Sequence, residues 1–182
     1  MKEYSGAEWS VRKFDKEADL KAAKNGIIGV SVAAENPDLS AFAKRGGKML
    51  HWHGWHDMGI PARNSIRYYN EVINTMGQQN VDAFYRLFLG TGVGHCSGGY
   101  APDSIGSAFG KPAAQRDAEH DVMEALVAWI EDDNAPEKII ATQYDKDDTT
   151  VVAQRTWCPY PKVALWDGQG NRNKAKSYSC SQ

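Results

Sequence analysis

The sequence predicts an α/β protein that carries only part of a doubly wound sheet. Helix-like and strand-like segments alternate through most of the 182 residues, as they do in α/β folds. Two short apolar segments, 48–52 and 84–89, are separated by a helix-like segment, which is the order expected of neighbouring parallel strands. The early strands with which such a sheet begins are not apparent, and residues 1–35 have the character of a connection arriving from elsewhere.

Two helices are predicted before the first strand. Residues 15–25 have a short amphipathic pattern, which Gly26 ends. The second helix begins at Asp38, a residue that favours the N-cap position, and it ends at residues 46–47, which are both glycine. Residues 48–52 then form a short apolar segment that predicts a buried strand.

The next helix and strand repeat this order. Residues 64–76 carry apolar side chains at helical spacing, and Gly77 is the stop signal. Residues 84–89 form a continuous apolar run that predicts a buried strand, within which Arg86 is a candidate for a buried ion pair. A glycine-rich loop follows from residue 90 to residue 99.

The last third of the sequence combines one helix with a hairpin and a loop-rich tail. Residues 139–143 and 151–155 flank an acidic turn and predict the hairpin. The helix is predicted at residues 118–131, with His120 on its polar, exposed side. Its expected core-facing residues are Val122, Met123, Leu126, Val127 and Ile130.

The two loops that follow the predicted strands hold the candidate catalytic residues. Asp57 lies in the first loop and His95 in the second, and functional side chains collect at the carboxyl ends of strands in open α/β sheets. If the strands are neighbours, Asp57 can accept a hydrogen bond from one imidazole nitrogen of His95. The other nitrogen can then serve as the general base for a hydroxyl nucleophile. The order acid before histidine is the order of α/β-hydrolases.

The sequence shows no nucleophile for this pair. A catalytic serine would require a Gly-x-Ser-x-Gly turn between a strand and a helix, upstream of the acid. The serines before Asp57 lie at positions 5, 10, 31 and 40, and none has glycine two places away on both sides. Ser97 and Ser107 follow His95 and are interpreted as loop serines.

The three cysteines leave at least one thiol without a partner in the chain. Cys158 and Cys180 lie in the tail among proline and glycine residues, where little core can form. A disulfide between them is favoured because it would restrict the unfolded chain, by about 3 kcal/mol for a loop of this length. Reduced, buried thiols of a cytosolic protein are the alternative.

Many segments of the sequence together resemble the tannase and feruloyl esterase family, from about residue 15 to residue 180. The segments that carry the resemblance are Asp38-Leu39-Ser40-Ala41-Phe42, Gly46-Gly47-Lys48, His53-Gly54-Trp55-His56-Asp57, Ile60-Pro61, Ser65-Ile66-Arg67-Tyr68-Tyr69, Phe84-Tyr85-Arg86-Leu87-Phe88, Gly94-His95-Cys96, Leu126-Val127-Ala128-Trp129-Ile130, Ala135-Pro136 and Cys158-Pro159-Tyr160-Pro161.

The resemblance implies a partial α/β-hydrolase fold. Residues 1–182 would be the C-terminal part of the catalytic domain, with its last strands and helices and a loop-rich, disulfide-bonded tail. Residues 1–35 would be the return segment from an inserted lid domain. The lid, in which the family holds a structural calcium ion, and the half with the nucleophile have no match in this sequence.

The resemblance also implies an activity, the hydrolysis of esters of aromatic (hydroxycinnamic or gallic) acids by a Ser-Asp-His triad. Such substrates include esters of plant cell walls and polyphenols. Asp57 matches the family's acid and His95 its base, and the chemistry requires no cofactor. Cys96 matches a cysteine that the family pairs with one beside the serine, whereas Cys158 and Cys180 match a family disulfide. The chain alone is expected to be inactive, because it lacks the nucleophile.

The family resemblance implies a secreted protein, although residues 1–6 show no signal peptide. The net charge of −2 gives no broad basic field that would attract nucleic acid or an anionic membrane. No apolar run approaches the length of about 20 residues that a membrane-spanning helix requires.

Two alternatives to the esterase remain open. A metal-dependent hydrolase could use the cluster of His51, His53, His56 and Asp57, with His95 and His120 as further ligands. Two observations disfavour the metal site. Asp57 follows the third histidine, whereas metallo-β-lactamases have a different order. His51 and Trp52 are interpreted as packed strand residues. The second alternative is a non-catalytic remnant that kept the sheet and lost the nucleophile.

Overall fold

The structure is a computed structural model that describes residues 9–106, 112–147 and 150–182. Ser107 and residues 1–6, on which the sequence carries predictions, lie outside these ranges. The chain divides into two compact units, Met1–Asn36 and Pro37–Gln182. Helices and strands are mixed and the sheets are small, in agreement with the predicted partial α/β fold.

The first unit contains two short helices, α1 (Lys16–Asn25) and α2 (Ile27–Ala33). Helix α1 confirms the predicted helix. The carboxylate of Asp15 caps it by accepting hydrogen bonds from the backbone N–H groups of Glu17 and Ala18, at 3.0 and 2.8 Å. The sequence did not predict α2, which begins directly after the extended residue Gly26.

The second unit is built around two parallel strands. Strand β1 (Met49–Gly54) pairs with β2 (Tyr85–Gly90) in a register that places Met49 opposite Tyr85 and Gly54 opposite Gly90. The two strands therefore end level with each other, as the predicted placement of Asp57 and His95 on neighbouring loops requires.

One helix precedes this strand pair in the sequence, and two helices lie between its strands. Helix α3 (Ser40–Lys44) precedes β1, whereas α4 (Arg63–Met76) and α5 (Gln78–Asp82) connect β1 to β2. Helix α4 agrees with the prediction, and Gly77 ends it with a φ of 83°. Helix α3 is shorter than predicted, because Asp38 does not occupy the N-cap position but bonds the N–H of Ser40 from a preceding turn, at 3.0 Å.

Helix α6 (Val122–Glu131) starts four residues later than predicted. The carboxylate of Asp117 accepts the N–H groups of Glu119 and His120, both at 2.9 Å, which holds these residues in a turn. His120 is buried in that turn and its Nδ1 lies 2.8 Å from Asp117 Oδ1, so its prediction as a surface residue was wrong.

The predicted core face of α6 was also partly wrong. The helix buries Val122, Ala125 and Trp129. Three of the residues expected in the core are exposed instead. They are Met123, Val127 and Ile130. Because α6 is apolar around most of its circumference, the pattern alone could not select the buried face, and the bulky indole of Trp129 occupies the core.

Two antiparallel hairpins complete the second unit. Strands β3 (Ile139–Tyr144) and β4 (Val151–Trp157) confirm the predicted hairpin and extend it at both ends. Strands β5 (Val163–Trp166) and β6 (Tyr178–Ser181) form a second hairpin within the tail, which was predicted to be loop.

A disulfide joins Cys158, directly after β4, to Cys180 in β6, and the two Cα atoms are 5.6 Å apart. The predicted pairing is therefore present in the structure. Cys96 is a free cysteine.

The buried side chains form two clusters on β2. Tyr85 and Leu87 belong to a cluster that α4 and α5 complete, and Phe88 belongs to a cluster that contains α6 and β3. Trp52 of β1 packs against the second of these clusters, as predicted. Buried in this way, β2 provides a fixed base for the loop that carries His95.

Arg86 forms an ion pair from β2 as predicted, but the pair is not buried, because the side chain of Glu137 is 62% exposed. Its guanidinium group lies 3.5 Å from the carboxylate of Glu137. The same group lies over the indole ring of Trp129, and Cζ of Arg86 is 5.1 Å from the ring centre.

No helix in the described part of the chain combines the length and apolar character that crossing a membrane requires.

Candidate active site

The loops after β1 and β2 approach each other so closely that one position must be glycine. A Cβ atom at Gly54 would lie 2.2 Å from the carbonyl oxygen of Gly94 and 2.5 Å from that of Val93. Backbone hydrogen bonds join the same loops, from the N–H of Trp55 to Gly90 at 2.8 Å and from His56 to Val93 at 2.9 Å. The two candidate catalytic loops are therefore fixed to each other by backbone contacts.

Asp57 is held in this arrangement by hydrogen bonds to both of its carboxylate oxygens. Oδ1 accepts the backbone N–H groups of Gly59 and Ile60 at 2.7 and 2.9 Å. Oδ2 lies 2.8 Å from Nδ1 of His95, and only 4% of the Asp57 side chain is exposed. The structure thus brings together the two residues that the sequence predicted as acid and base.

These hydrogen bonds lower the pKa of Asp57 well below its ordinary value. The largest cause is the backbone N–H of Ile60, which is opposed by burial and then reinforced by the bonds from His95 and Gly59. Asp57 is therefore a carboxylate at neutral pH and can only accept hydrogen bonds.

His95 presents a more open side chain than its partner. Its side chain is 58% exposed, although Nδ1 is engaged with Asp57. The following residue, Cys96, has a positive φ of 65°, and the N–H of Ser97 bonds back to the carbonyl oxygen of His95 at 2.8 Å. This tight turn places His95 at the rim of the site and makes Ser97 a loop serine, as predicted.

A second imidazole, that of His53, contacts the same carboxylate oxygen. Its Nε2 lies 3.2 Å from Asp57 Oδ2 and 3.0 Å from the carbonyl oxygen of Ile60, and its Nδ1 lies 2.7 Å from the hydroxyl of Ser65. The sequence identified His53 only as a possible metal ligand. Because His53 lies in a strand and Asp57 in the loop after it, their spacing gave no signal for this contact.

The polar contacts continue behind His53 into the core. The Ser65 hydroxyl also lies 3.1 Å from Nε2 of His51, whose Nδ1 is 2.7 Å from the hydroxyl of the fully buried Tyr85. Burial, with a smaller contribution from His53, lowers the pKa of His51 to about 4. Burial also raises the pKa of Tyr85, with smaller contributions from Tyr68 and Tyr69. His51 is neutral and Tyr85 is protonated near pH 7.

The histidines are not arranged as a metal centre. Within residues 9–106, 112–147 and 150–182, no group of three or more His, Cys, Asp or Glu side chains could hold a metal ion. The nitrogens of His51 and His53 contact serine, tyrosine, aspartate and backbone groups, and the ring of His56 packs edge-on against Tyr100, with 5.1 Å between ring centres.

An apolar cavity lies beside the loop that carries Asp57. It has a volume of about 320 Å³ and is lined in part by Trp55, Leu89, Trp157 and Tyr160. Trp55 is itself partly exposed and lies two residues before Asp57. Aromatic surface is therefore available in the neighbourhood of the acid.

A sequence model described as "Tannase and feruloyl esterase" matches residues 7–181. An uncharacterised esterase of Xanthomonas campestris is 34% identical over 97% of this chain and 34% of its own length. A probable feruloyl esterase B-2 of Aspergillus terreus is 33% identical over 97% of this chain and 34% of its own length. The chain thus spans about a third of the length of these curated relatives.

A solved structure agrees with these sequence matches. The crystal structure of feruloyl esterase B from Aspergillus oryzae superimposes with a TM-score of 0.86 and 30% identity, over 98% of this chain and 35% of that one. This similarity covers both the loops and the hairpins described above.

Proposed function

Because this chain belongs to the tannase and feruloyl esterase family, we propose that it supplies the acid and the base of a serine-type carboxylic ester hydrolase. Asp57 is the acid that orients the base, and His95 is the general base. The single observation that carries the proposal is the 2.8 Å contact between Asp57 Oδ2 and His95 Nδ1 at the carboxyl ends of two parallel strands.

The chemistry follows from the two nitrogens of His95. Asp57 accepts the Nδ1 proton, which leaves Nε2 as the basic nitrogen of the neutral ring. Nε2 takes the proton of a serine hydroxyl while the serine oxygen attacks the ester carbonyl. Nε2 then delivers that proton to the departing alcohol. The acyl group then remains on the serine oxygen. Nε2 takes a proton from water as the water oxygen attacks this acyl group, and it returns the proton to serine as the carboxylic acid departs. The ionised Asp57 stabilises the imidazolium ion that forms in each half of the reaction.

The serine in this proposal comes from outside the 182 residues, from the part of the hydrolase that this chain does not match. Cys96 would tie the His95 loop to that part by a disulfide with a cysteine beside the serine. The free state of Cys96 and its place directly after His95 support this assignment. The structural calcium ion of the family would belong to the lid, and no step of the reaction uses it.

The substrates are proposed to be esters of aromatic carboxylic acids, such as hydroxycinnamic or gallic acid. The family and the aromatic cavity next to the loop of Asp57 support this class. We assign the working protein to an oxidising environment, as secretion would provide, because the disulfide between Cys158 and Cys180 requires one to persist.

A chimera tests this proposal directly. The present chain would replace the matching third of the A. oryzae feruloyl esterase B, and turnover of methyl ferulate and a gallate ester would be measured. The chimera is expected to hydrolyse one of these esters and to be inhibited by a serine-directed phosphonate, whereas the 182-residue chain alone is expected to be inert.

Two results would contradict the proposal. One is a chimera that unfolds cooperatively, and so is folded, but turns over none of the esters. The other is phosphonate-sensitive turnover by the 182-residue chain alone, which would place the nucleophile within it.

A further inference from the structure

We propose that His53 is a positioning residue, which binds Asp57 Oδ2, the oxygen that also contacts the catalytic base, and is itself held by Ser65, His51 and Tyr85. This inference rests on the proposed function, since the orientation of Asp57 affects a reaction only if Asp57 and His95 act as acid and base.

The acceptor end of the series of contacts from Tyr85 to Asp57 determines the tautomer of His53. Its Nε2 faces the carboxylate of Asp57 at 3.2 Å and the carbonyl oxygen of Ile60 at 3.0 Å, and both groups can only accept. Nε2 must therefore carry a hydrogen. In the neutral imidazole Nδ1 is then an acceptor, and the hydroxyl of Ser65, 2.7 Å away, donates to it.

The donor end of this series of contacts follows from this assignment, because Ser65 has one proton, gives it to His53 and can therefore only accept from His51. Neutral His51 has one donor and one acceptor nitrogen, and its Nδ1 accepts from the buried Tyr85 hydroxyl at 2.7 Å. Its Nε2–H then donates to Ser65 Oγ at 3.1 Å. Ser65 consequently accepts one hydrogen bond and donates one, and all donors in the series point from Tyr85 towards Asp57.

This polarity has a consequence for the catalytic carboxylate. If each of these hydrogen bonds ran in the opposite direction, neutral His53 would direct a lone pair at the carboxylate of Asp57 and at the carbonyl oxygen of Ile60. Such an arrangement is repulsive. With the protons assigned in this way, Asp57 accepts two backbone N–H groups at Oδ1 and two imidazole N–H groups at Oδ2. Oδ2 therefore has a second donor besides His95, and this restricts the direction in which Asp57 meets the exposed His95.

Imidazole ¹⁵N and ¹H NMR of the 182-residue chain tests the inference without any substrate. Wild-type His53 and His51 are both expected as Nε2–H tautomers, with a low-field proton signal for Nδ1–H of His95. His53→Leu removes the donor and is expected to shift or broaden that signal. His53→Gln keeps an amide donor close to the position of Nε2 and is expected to restore it.

Two further variants separate positioning from simple packing. His56→Leu removes an exposed imidazole on the same loop, whose ring packs against Tyr100, and it should leave the His95 signal unchanged. Ser65→Ala removes the donor to Nδ1 but leaves both acceptors at Nε2, so His53 should remain the Nε2–H tautomer with a shifted Nδ1 signal, and a change to Nδ1–H would contradict the assignment. This variant also provides a readout if His53→Leu does not fold.

The inference is overturned if wild-type His53 is the Nδ1–H tautomer, or if a folded His53→Leu protein keeps the His95 signal unchanged. In the chimera, His53→Leu is expected to lower kcat by about 10²-fold at nearly constant KM, the size of effect that a small misplacement of a catalytic group produces. An inert wild-type chimera with the expected NMR signals would refute the proposed function but leave the positioning of Asp57 by His53 standing.

Discussion

The strand ends that carry Asp57 and His95 and the tail that carries Cys158 and Cys180 are held in different ways. The strand ends belong to β1 and to β2, which is buried on both faces, and their loops are joined by backbone and side-chain hydrogen bonds. The tail hairpin of β5 and β6 leaves Val163 and Leu165 about half exposed, at 54% and 49%, and is joined to β4 by a disulfide.

The difference shows which part of the chain performs chemistry and which part is mainly scaffold. Hydrogen bonds specify both direction and proton position, which a catalytic acid and base require. A disulfide restricts the unfolded chain but specifies no protonation state. Changes at the strand ends should therefore affect rate with little effect on stability, and changes in the tail should do the opposite.

Loss of the base should produce the largest effect. In the chimera, His95→Gln is expected to lower kcat by about 10⁶-fold, as removal of a triad histidine does in serine hydrolases. The exposed position of the side chain predicts little change in the midpoint of urea unfolding. Activity would be followed with methyl ferulate. A variant that keeps a tenth of the wild-type rate would show that His95 is not the base.

Loss of the tail disulfide should give a smaller and purely structural effect. Replacing both Cys158 and Cys180 by serine is expected to lower the free energy of unfolding by about 3 kcal/mol, from the loop of 22 residues that the bond closes. The measurement is urea unfolding of the 182-residue chain. The NMR signal of His95 Nδ1–H should persist in the folded variant, and its disappearance would show that the two regions are coupled.

Titration of His51 should change the free energy of unfolding with pH, by less than the loss of the tail disulfide does. Its pKa is lowered from 6.5 to about 4 in the fold, so the unfolded chain binds more protons between these values. The contribution of neutral His51 to the free energy of unfolding is fully present above about pH 6.5, and it decreases as the pH falls towards 4. The two pKa values correspond to about 3 kcal/mol, and partial solvent exposure of the ring reduces the expected effect to about 2 kcal/mol.

His51→Asn provides the test, because it keeps an acceptor for Tyr85 and removes the titrating ring. The difference in free energy of unfolding between wild type and variant should narrow as the pH falls from 6.5 to 4. A difference that stays constant over this range would show that His51 does not titrate as the buried chain of contacts predicts.

The sequence predicted the features that follow from pattern and chain order. The apolar segments that became β1 and β2, with the helix between them, were sufficient to predict that Asp57 and His95 meet at one edge of the sheet. The resemblance to a family, carried by segments spread along the chain, added the chemistry of the pair.

Features that depend on side-chain direction could not be predicted in this way. The contact of His53 with Ser65 joins β1 to α4. Neither residue spacing nor composition shows that the rings of His51 and His53 meet the hydroxyl of this one serine. Helix α6 has apolar residues on several sides, and the hairpin of β5 and β6 is short, half exposed and interrupted by polar residues and glycine.

The most direct test of the central claim is the effect of Asp57→Asn on kcat in the chimera. Asparagine keeps the shape of the side chain but can present an N–H to His95, which favours the wrong tautomer of the base. If Asp57 orients His95, kcat for methyl ferulate falls by about 10⁴-fold while KM changes little. A folded Asp57→Asn chimera with kcat within ten-fold of wild type would contradict the assignment of Asp57 as the triad acid.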